Sequence, residues 1–346
     1  MGKLLKIENL SKEGILSSVS FEMEEGEMLA VMGPSGSGKS TLLYQAAGMD
    51  APSGGRVWLK ETEITGLDED GKAALRLHRM GFVFQQMNML ANLNILDNIL
   101  LPAIQAERSR RRKTGVSRDV KGCANHGMNA NRGRDVKECA NRGMNANRSR
   151  DVKEGANRGM NANRSRGAKK RGPGKSVEEL TQEARALMEK LGLSGLEQRR
   201  ITQVSGGQLQ RACICRSMMN SPEILFADEP TGALNQSAAK EVMEELMKLN
   251  REGTAILMVT HDSKVAGCCE RILYLLDGRI RGELRLGKMT AGADNRNPKK
   301  MTGGADNRNP GKSAAGAGTL NPGGEEFWAE KQREKKVKEW LSRMGW

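Results

Sequence analysis

The apolar run Met28-Leu29-Ala30-Val31-Met32 leads directly into Gly33-Pro34-Ser35-Gly36-Ser37-Gly38-Lys39-Ser40-Thr41, and this junction constrains the chain more than any other stretch. It satisfies the pattern G-x-x-x-x-G-K-[ST] in the order strand, turn, helix that a phosphate-binding loop requires. The glycines let backbone N–H groups curl around phosphate oxygens. A helix starting near Lys39 would turn its unsatisfied N–H groups and positive dipole end toward the same anion. Lys39 is then expected to reach the β- and γ-phosphates, and Ser40 to ligate Mg2+. An ordinary glycine-rich turn is the competing interpretation, and the strand-to-helix setting argues against it.

The surrounding sequence alternates strands with helices. Val19, Phe21 and Met23 repeat with the period of a half-exposed strand, whereas Met28–Met32 and Ile256–Thr260 are short apolar runs of the kind buried on both faces. Each buried run leads into a turn and then a helical pattern, which predicts an α/β sheet with its ligand sites beyond the carboxyl ends of the strands. Hydrophobic residues make up 37% of the chain and aromatics 3%, enough for one core with polar sequence to spare.

That polar excess is concentrated in two tracts. From Arg118, RDVKGCANHGMNANRG recurs as RDVKECANRGMNANRS from Arg134 and RDVKEGANRGMNANRS from Arg150, a 16-residue period. Each copy offers too few apolar side chains to offset its ordering entropy, so disorder is the expectation. MTAGADNRNPKK from Met289 recurs as MTGGADNRNPGK from Met301 with period 12 and reads as a linker. Residues 107–175 hold 21 Lys and Arg against 6 Asp and Glu, and residues 285–346 hold 13 against 7; with a net charge of +14, about −7 is left for the remainder. The basic character therefore belongs to appendages and does not make nucleic acid an expected partner of the core. The predicted organisation is a discontinuous nucleotide-binding domain, 1–105 and 176–284, a basic insert, 106–175, and a linker with an amphipathic tail, 285–346. In that tail Val337, Trp340, Leu341 and Met344 share helical spacing, and the favoured expectation is a frayed tail, with a docked helix as the alternative.

Two further elements carry chemistry. Ile224-Leu225-Phe226-Ala227-Asp228-Glu229-Pro230 is an apolar strand ending in two carboxylates; strand alternation predicts Asp228 toward the Mg2+ shell and Glu229 toward an attacking water. Val204-Ser205-Gly206-Gly207-Gln208 opens a helix with small residues whose N–H groups are free to meet an anion. No single nucleotide needs two such cradles. At this point SGGQ, standing about 15 residues before the ILFADEP strand, resembles the signature of the ABC ATPases. That resemblance implies a P-loop NTPase core of ABC type with an antiparallel β subdomain and an inserted α-helical subdomain. It further implies ATP hydrolysis in a head-to-tail homodimer, where Ser205, Gly206, Gly207 and Gln208 of one copy cap the nucleotide on the phosphate loop of the other.

The remaining positions of the family's pattern follow. Gly81-Phe82-Val83-Phe84-Gln85 resembles the glutamine loop, implying that Gln85 approaches metal and water; Met258-Val259-Thr260-His261-Asp262 resembles the switch-histidine strand, implying a contact from His261 to the γ-phosphate. His78 and His126 have no such setting. GFVFQ followed by NML and NILLP, then ADEPTGAL, is most similar to ATPases of lipoprotein release and of antimicrobial-peptide export or resistance. That subfamily implies an integral-membrane permease partner; the expected dock is Asn88–Pro102 with Leu90, Leu93, Ile95, Leu96, Ile99 and Leu100, about half of which are expected to serve core helix packing instead. The opening residues Met1–Leu10 lack the apolar block of a secretory signal, and the expected location is cytoplasmic, peripheral on the inner face of the cell membrane.

The sequence departs from the family in three places. Leu10-Ser11-Lys12-Glu13-Gly14 offers no aromatic residue to stack on adenine, a contact worth about 1–3 kcal/mol, so ATP is expected to bind about ten-fold more weakly than in relatives that have one. Asn235 stands where the family's dimer-contact loop has an aspartate, implying weaker coupling across the seam. The repeat insert interrupts the helical subdomain. A soluble ABC-type ATPase acting on nucleic acid or ribosomes through that insert, and a degenerate subunit with little turnover, are the alternatives.

Overall fold

The computed structural model describes residues 2–114, 174–289 and 322–346. The 16-residue repeats, and the 12-residue repeats beyond Met289, lie outside them. The chain divides into two compact units, Met1–Arg108 with Lys175–Trp346, and Ser109–Gly174; everything that follows concerns the first.

In chain order its elements are β1 (Lys3–Lys12), β2 (Leu16–Glu24), β3 (Met28–Met32), α1 (Lys39–Ala46), β4 (Gly54–Leu59), β5 (Thr62–Glu63), α2 (Glu69–Arg79), β6 (Met80–Val83) and α3 (Ile95–Thr114). There follow α4 (Val177–Lys190), α5 (Gly206–Met218), β7 (Ile224–Asp228), α6 (Gln236–Arg251), β8 (Ala255–Val259), α7 (Ser263–Gly267), β9 (Arg271–Leu276), β10 (Arg279–Arg285) and α8 (Pro322–Arg343). β1, β2, β4 and β5 form an antiparallel sheet in the order β2-β1-β4-β5; its alternating buried Leu5, Ile7, Val19, Phe21 and Met23 show the period-two pattern of a sheet covered on one face. The second sheet runs β10-β9-β3-β8-β7-β6 and is parallel apart from the β9-β10 hairpin.

Every residue of β3, β7 and β8 is buried, because this sheet is covered on both faces. Along β3, Met28, Ala30 and Met32 join the core formed with helices α3 to α6, while Leu29 and Val31 join the core formed with α1 and the antiparallel sheet. α4 and α5 each begin with a capping box, Ser176 with Glu179 and Ser205 with Gln208, which satisfies N–H groups the helix cannot pair itself.

Two expectations are corrected here. Of the six residues assigned to the permease dock, Ile95, Leu96, Ile99 and Leu100 are core side chains, whereas Leu90 is 48% exposed and Leu93 is partly buried. Helical periodicity identifies an apolar face but not what covers it. Asn98, wholly buried, holds the exposed turn in place: its Oδ1 accepts from Leu90 N at 2.8 Å and its Nδ2 donates to the carbonyls of Leu90 at 3.1 Å and Asn94 at 2.9 Å.

The second correction concerns the tail, which packs down instead of fraying. Val337 and Leu341 are buried, and Trp340 and Trp346 lie edge-on to Tyr274 at 6.1 and 5.8 Å. Arg333 donates to the carbonyls of Gly267 at 2.7 Å, Cys269 at 2.6 Å, Leu286 at 3.2 Å and Gly287 at 3.0 Å, so one guanidinium fastens α8 to the end of α7 and to the segment just past β10. Among the described residues no helix is long and apolar enough to cross a membrane.

Candidate functional site

The parallel order β3-β8-β7-β6 puts four strand ends side by side, with Val31 in register with Val259, Val259 with Asp228, and Ala227 with Val83. From these ends issue, in the same order across the sheet, the phosphate loop, His261, the Asp228–Glu229 pair and Gln85. Residues 33, 85, 228 and 261 are far apart in sequence and are gathered by strand order alone, at the edge where open α/β sheets take ligands.

Residues 33–38 form the turn between β3 and α1, and Lys39, Ser40 and Thr41 are the first residues of the helix. Gly36 and Gly38 have φ of +79° and +97°, a region that strains side chains other than glycine. Lys39 is 8% exposed and its Nζ donates to the Pro34 carbonyl at 2.8 Å, so the cation reaches back across the loop. Burial pushes its pKa down, opposed by the nearby Glu229 and Asp228 carboxylates. Ser37 Oγ is buried with no hydrogen-bond partner. An orphaned donor, a buried ammonium and a left-handed glycine turn at a helix N-terminus fit a phosphate chain.

Asp228, 3% exposed, ends β7 and is held at both oxygens: Ser40 Oγ donates to Oδ1 at 3.0 Å and Tyr44 Oη donates to Oδ2 at 2.7 Å. A hydroxyl and a carboxylate converging in this way supply the hard oxygen donors that suit Mg2+. Burial first, and the Asp228 carboxylate second, push the Tyr44 pKa up to about 12, which keeps its hydroxyl a donor.

Glu229 does not take its direction from strand alternation, as the sequence suggested. It lies just beyond β7 with φ of +45°, its N–H donating to the Val259 carbonyl at 2.9 Å. That left-handed step, uncommon for a residue with a side chain, swings the carboxylate toward the next strand. There His261 Nδ1 lies 3.0 Å from Glu229 Oε1, with the His261 side chain 61% exposed. A carboxylate only accepts, so Nδ1 carries the proton in this contact. Gln85 is exposed, two residues past β6. Its neighbour Phe84 stacks on Phe82 at 5.9 Å, and Phe82 on Phe226 of β7 at 5.4 Å.

The Ser205–Gln208 turn has different neighbours. Ser205 Oγ accepts from Gln208 N at 3.2 Å and Gln208 Oε1 accepts from Ser205 N at 2.9 Å, which occupies the Gln208 side chain in the cap. The N–H groups of Gly206 and Gly207 at the start of α5 have no partner within the helix. A Cβ on Gly207 would fall 2.8 Å from Ala238 Cβ, and one on Gly206 3.4 Å from Leu234, so this turn abuts α6 and the loop before it.

Sequence reasoning passed over two residues. Tyr44 stands four residues after Ser40 in a helix, a spacing that by itself puts the two on one face. Ile15 ends the turn into β2 and is 42% exposed; a Cβ on Gly38 would lie 3.2 Å from its Cγ2, so Ile15 overhangs the phosphate loop. Only pairing between β1 and β2 brings it there.

The profile of the ABC transporter family matches residues 16–232. The chain belongs to that family. As an ABC-family ATPase it is similar to the lipoprotein-releasing system ATP-binding protein LolD of Aquifex aeolicus, 31% identical over 288 residues that cover 82% of this chain and 99% of LolD. The macrolide export ATP-binding/permease protein MacB of Campylobacter jejuni is 31% identical over 280 residues, 81% of this chain but 33% of MacB, so the chain spans about a third of the length of that relative. Among solved structures, dimeric MJ0796, a bacterial ABC transporter cassette, is 31% identical with a TM-score of 0.59 and covers 83% of this chain and 100% of that one. A second dimeric structure of MJ0796, in a post-hydrolysis state bound to ADP and Pi, is 30% identical with the same TM-score and coverage.

Proposed function

We propose that two copies of this ABC-family ATPase associate head to tail around two nucleotides and that ATP hydrolysis there drives a separate integral-membrane permease. The observation that carries this reading is the division of anion-binding groups between two places. The phosphate loop is roofed by the turn into β2, the Ser205–Gly207 turn abuts α6, and a second copy would bring the one over the other. The dimeric relatives at 30–31% identity support the same arrangement.

In this reading the residues from Gly33, Pro34, Ser35, Gly36, Ser37 and Gly38 to Lys39 hold the phosphates, with Thr41 continuing the helix start. Ser40 and Asp228 take Mg2+, with Gln85 beside it, and bound Mg2+ would neutralise charge on the β- and γ-phosphate oxygens. Glu229 orients the attacking water and accepts its proton. His261, fixed through Nδ1 by that same carboxylate, presents Nε2 toward the γ-phosphate, and Ser205, Gly206, Gly207 and Gln208 of the second copy close the pocket. The chain would sit on the cytoplasmic face of a membrane through its permease, with Leu90 in the exposed docking turn. The cargo class favoured by its relatives is a lipoprotein or a macrolide-like compound.

Replacing the proton-accepting carboxylate separates chemistry from binding. Glu229→Gln is expected to lower phosphate release by about 100-fold or more while leaving MgATP affinity in place. Wild-type turnover in that variant would remove Glu229 from the mechanism.

A further inference from the structure

The hydrolysis proposed above leaves one hydroxyl in the site without a task. Tyr44 lies one helical turn after Ser40, and the i, i+4 spacing turns both side chains toward β7. Each takes one oxygen of the same carboxylate: Ser40 Oγ to Asp228 Oδ1 at 3.0 Å, Tyr44 Oη to Oδ2 at 2.7 Å. Asp228 is 3% exposed, so free water does not hold the carboxylate plane. A cation held by Ser40 Oγ would take the lone pairs that its O–H donation to Oδ1 leaves open, and so would draw on the first of these contacts. The second lies on the opposite oxygen and is left intact.

The direction of the Tyr44 ring is set by its neighbours. Its centroid lies 6.4 Å from that of Phe84 at 50°, and Phe84 continues through Phe82 to Phe226, two residues before Asp228 on the same strand. The hydroxyl is therefore aimed by an aromatic ladder anchored in β7 and ending one residue before Gln85. Without it, Oδ2 would be a buried acceptor with no donor, and the carboxylate would be free to turn about its own axis.

We infer that Tyr44 is a positioning residue, whose hydroxyl holds the Asp228 carboxylate with Oδ1 turned to a divalent cation at Ser40 and thereby sets how tightly the site takes that cation. This rests on the assignment of Ser40 and Asp228 to Mg2+. Partners of metal-binding groups commonly change metal affinity ten-fold or more when removed.

Tyr44→Phe keeps the ring and its packing and deletes only the donor. Three quantities test it in the full-length chain: Mn2+ affinity in the presence of ATP by electron paramagnetic resonance, the free Mg2+ giving half-maximal hydrolysis, and ATP affinity in EDTA. The expected result is a rise of about ten-fold in both metal midpoints, with kcat at saturating Mg2+ and ATP affinity in EDTA close to wild type. Metal midpoints equal to wild type would overturn the inference and leave the Mg2+ site standing. An equal loss of ATP affinity in EDTA would overturn it too, by placing the effect on the nucleotide or the fold. Wild-type hydrolysis indifferent to Mg2+ would instead remove the metal site itself, and the inference with it.

Discussion

Ile15, which overhangs the phosphate loop, presents a half-exposed apolar side chain at the rim of the proposed nucleotide site. A base covered by isoleucine gains contact area but loses the π-face interaction, about 1–3 kcal/mol by substitution in other systems. Ile15→Tyr is therefore expected to tighten MgATP by about ten-fold, measured by calorimetric titration; affinity equal to wild type would place the base elsewhere. The phosphate loop and Asp228 stand out in the sequence because their chemistry is local, glycine spacing and an acidic strand end, whereas Gln85 is marked only by its resemblance to the family's glutamine loop. Ile15 and Tyr44 were hidden, since neither residue type suggests a nucleotide site and each arrives through pairing or helix phase. Asn235 shows the opposite case. Its Oδ1 accepts from Ala238 N at 2.9 Å and caps α6, a task that an aspartate there would share, so its lost charge does not disturb the local fold.

The buried strands β3, β7 and β8 were legible because a strand covered on both faces reads as an unbroken apolar run, and each is followed by a polar turn. Their order across the sheet was not, since strand order depends on crossovers that no local pattern records. The same limit explains the two misread helical segments. In Ile95–Leu100 an apolar face proved to be core, and in α8 an apolar face with mixed charge proved to be docked. The anchor of α8 is Arg333, whose four carbonyl partners lie at residues 267, 269, 286 and 287, all distant in sequence. Arg333→Ala should weaken that docking by about 2 kcal/mol, since hydrogen bonds to a charged group are stronger than neutral ones. The readout is fluorescence: Trp340 and Trp346 would shift to the red and become more open to acrylamide. A spectrum identical to wild type would mean that Val337, Leu341 and the aromatic contacts hold the helix without it.

The chain as a whole matches nearly the entire length of LolD and a third of MacB, and its described part accounts for a nucleotide-binding unit with the basic repeats set apart from it in sequence. About −7 of formal charge on residues 1–106 and 176–284, against +21 on 107–175 and 285–346, suits a core that binds its anion locally, through loop and helix end, and not through a broad basic face. Everything proposed for turnover depends on a second copy placing its Ser205–Gly207 turn over the bound nucleotide. Glu229→Gln, which binds ATP but should not release it as product, offers a way to hold that state. Weighed by light scattering at saturating MgATP and again after the nucleotide is removed, it is expected to run at twice the mass of one chain with ATP and at the mass of one chain without. A single-chain mass under both conditions, with ATP demonstrably bound, would contradict the shared site.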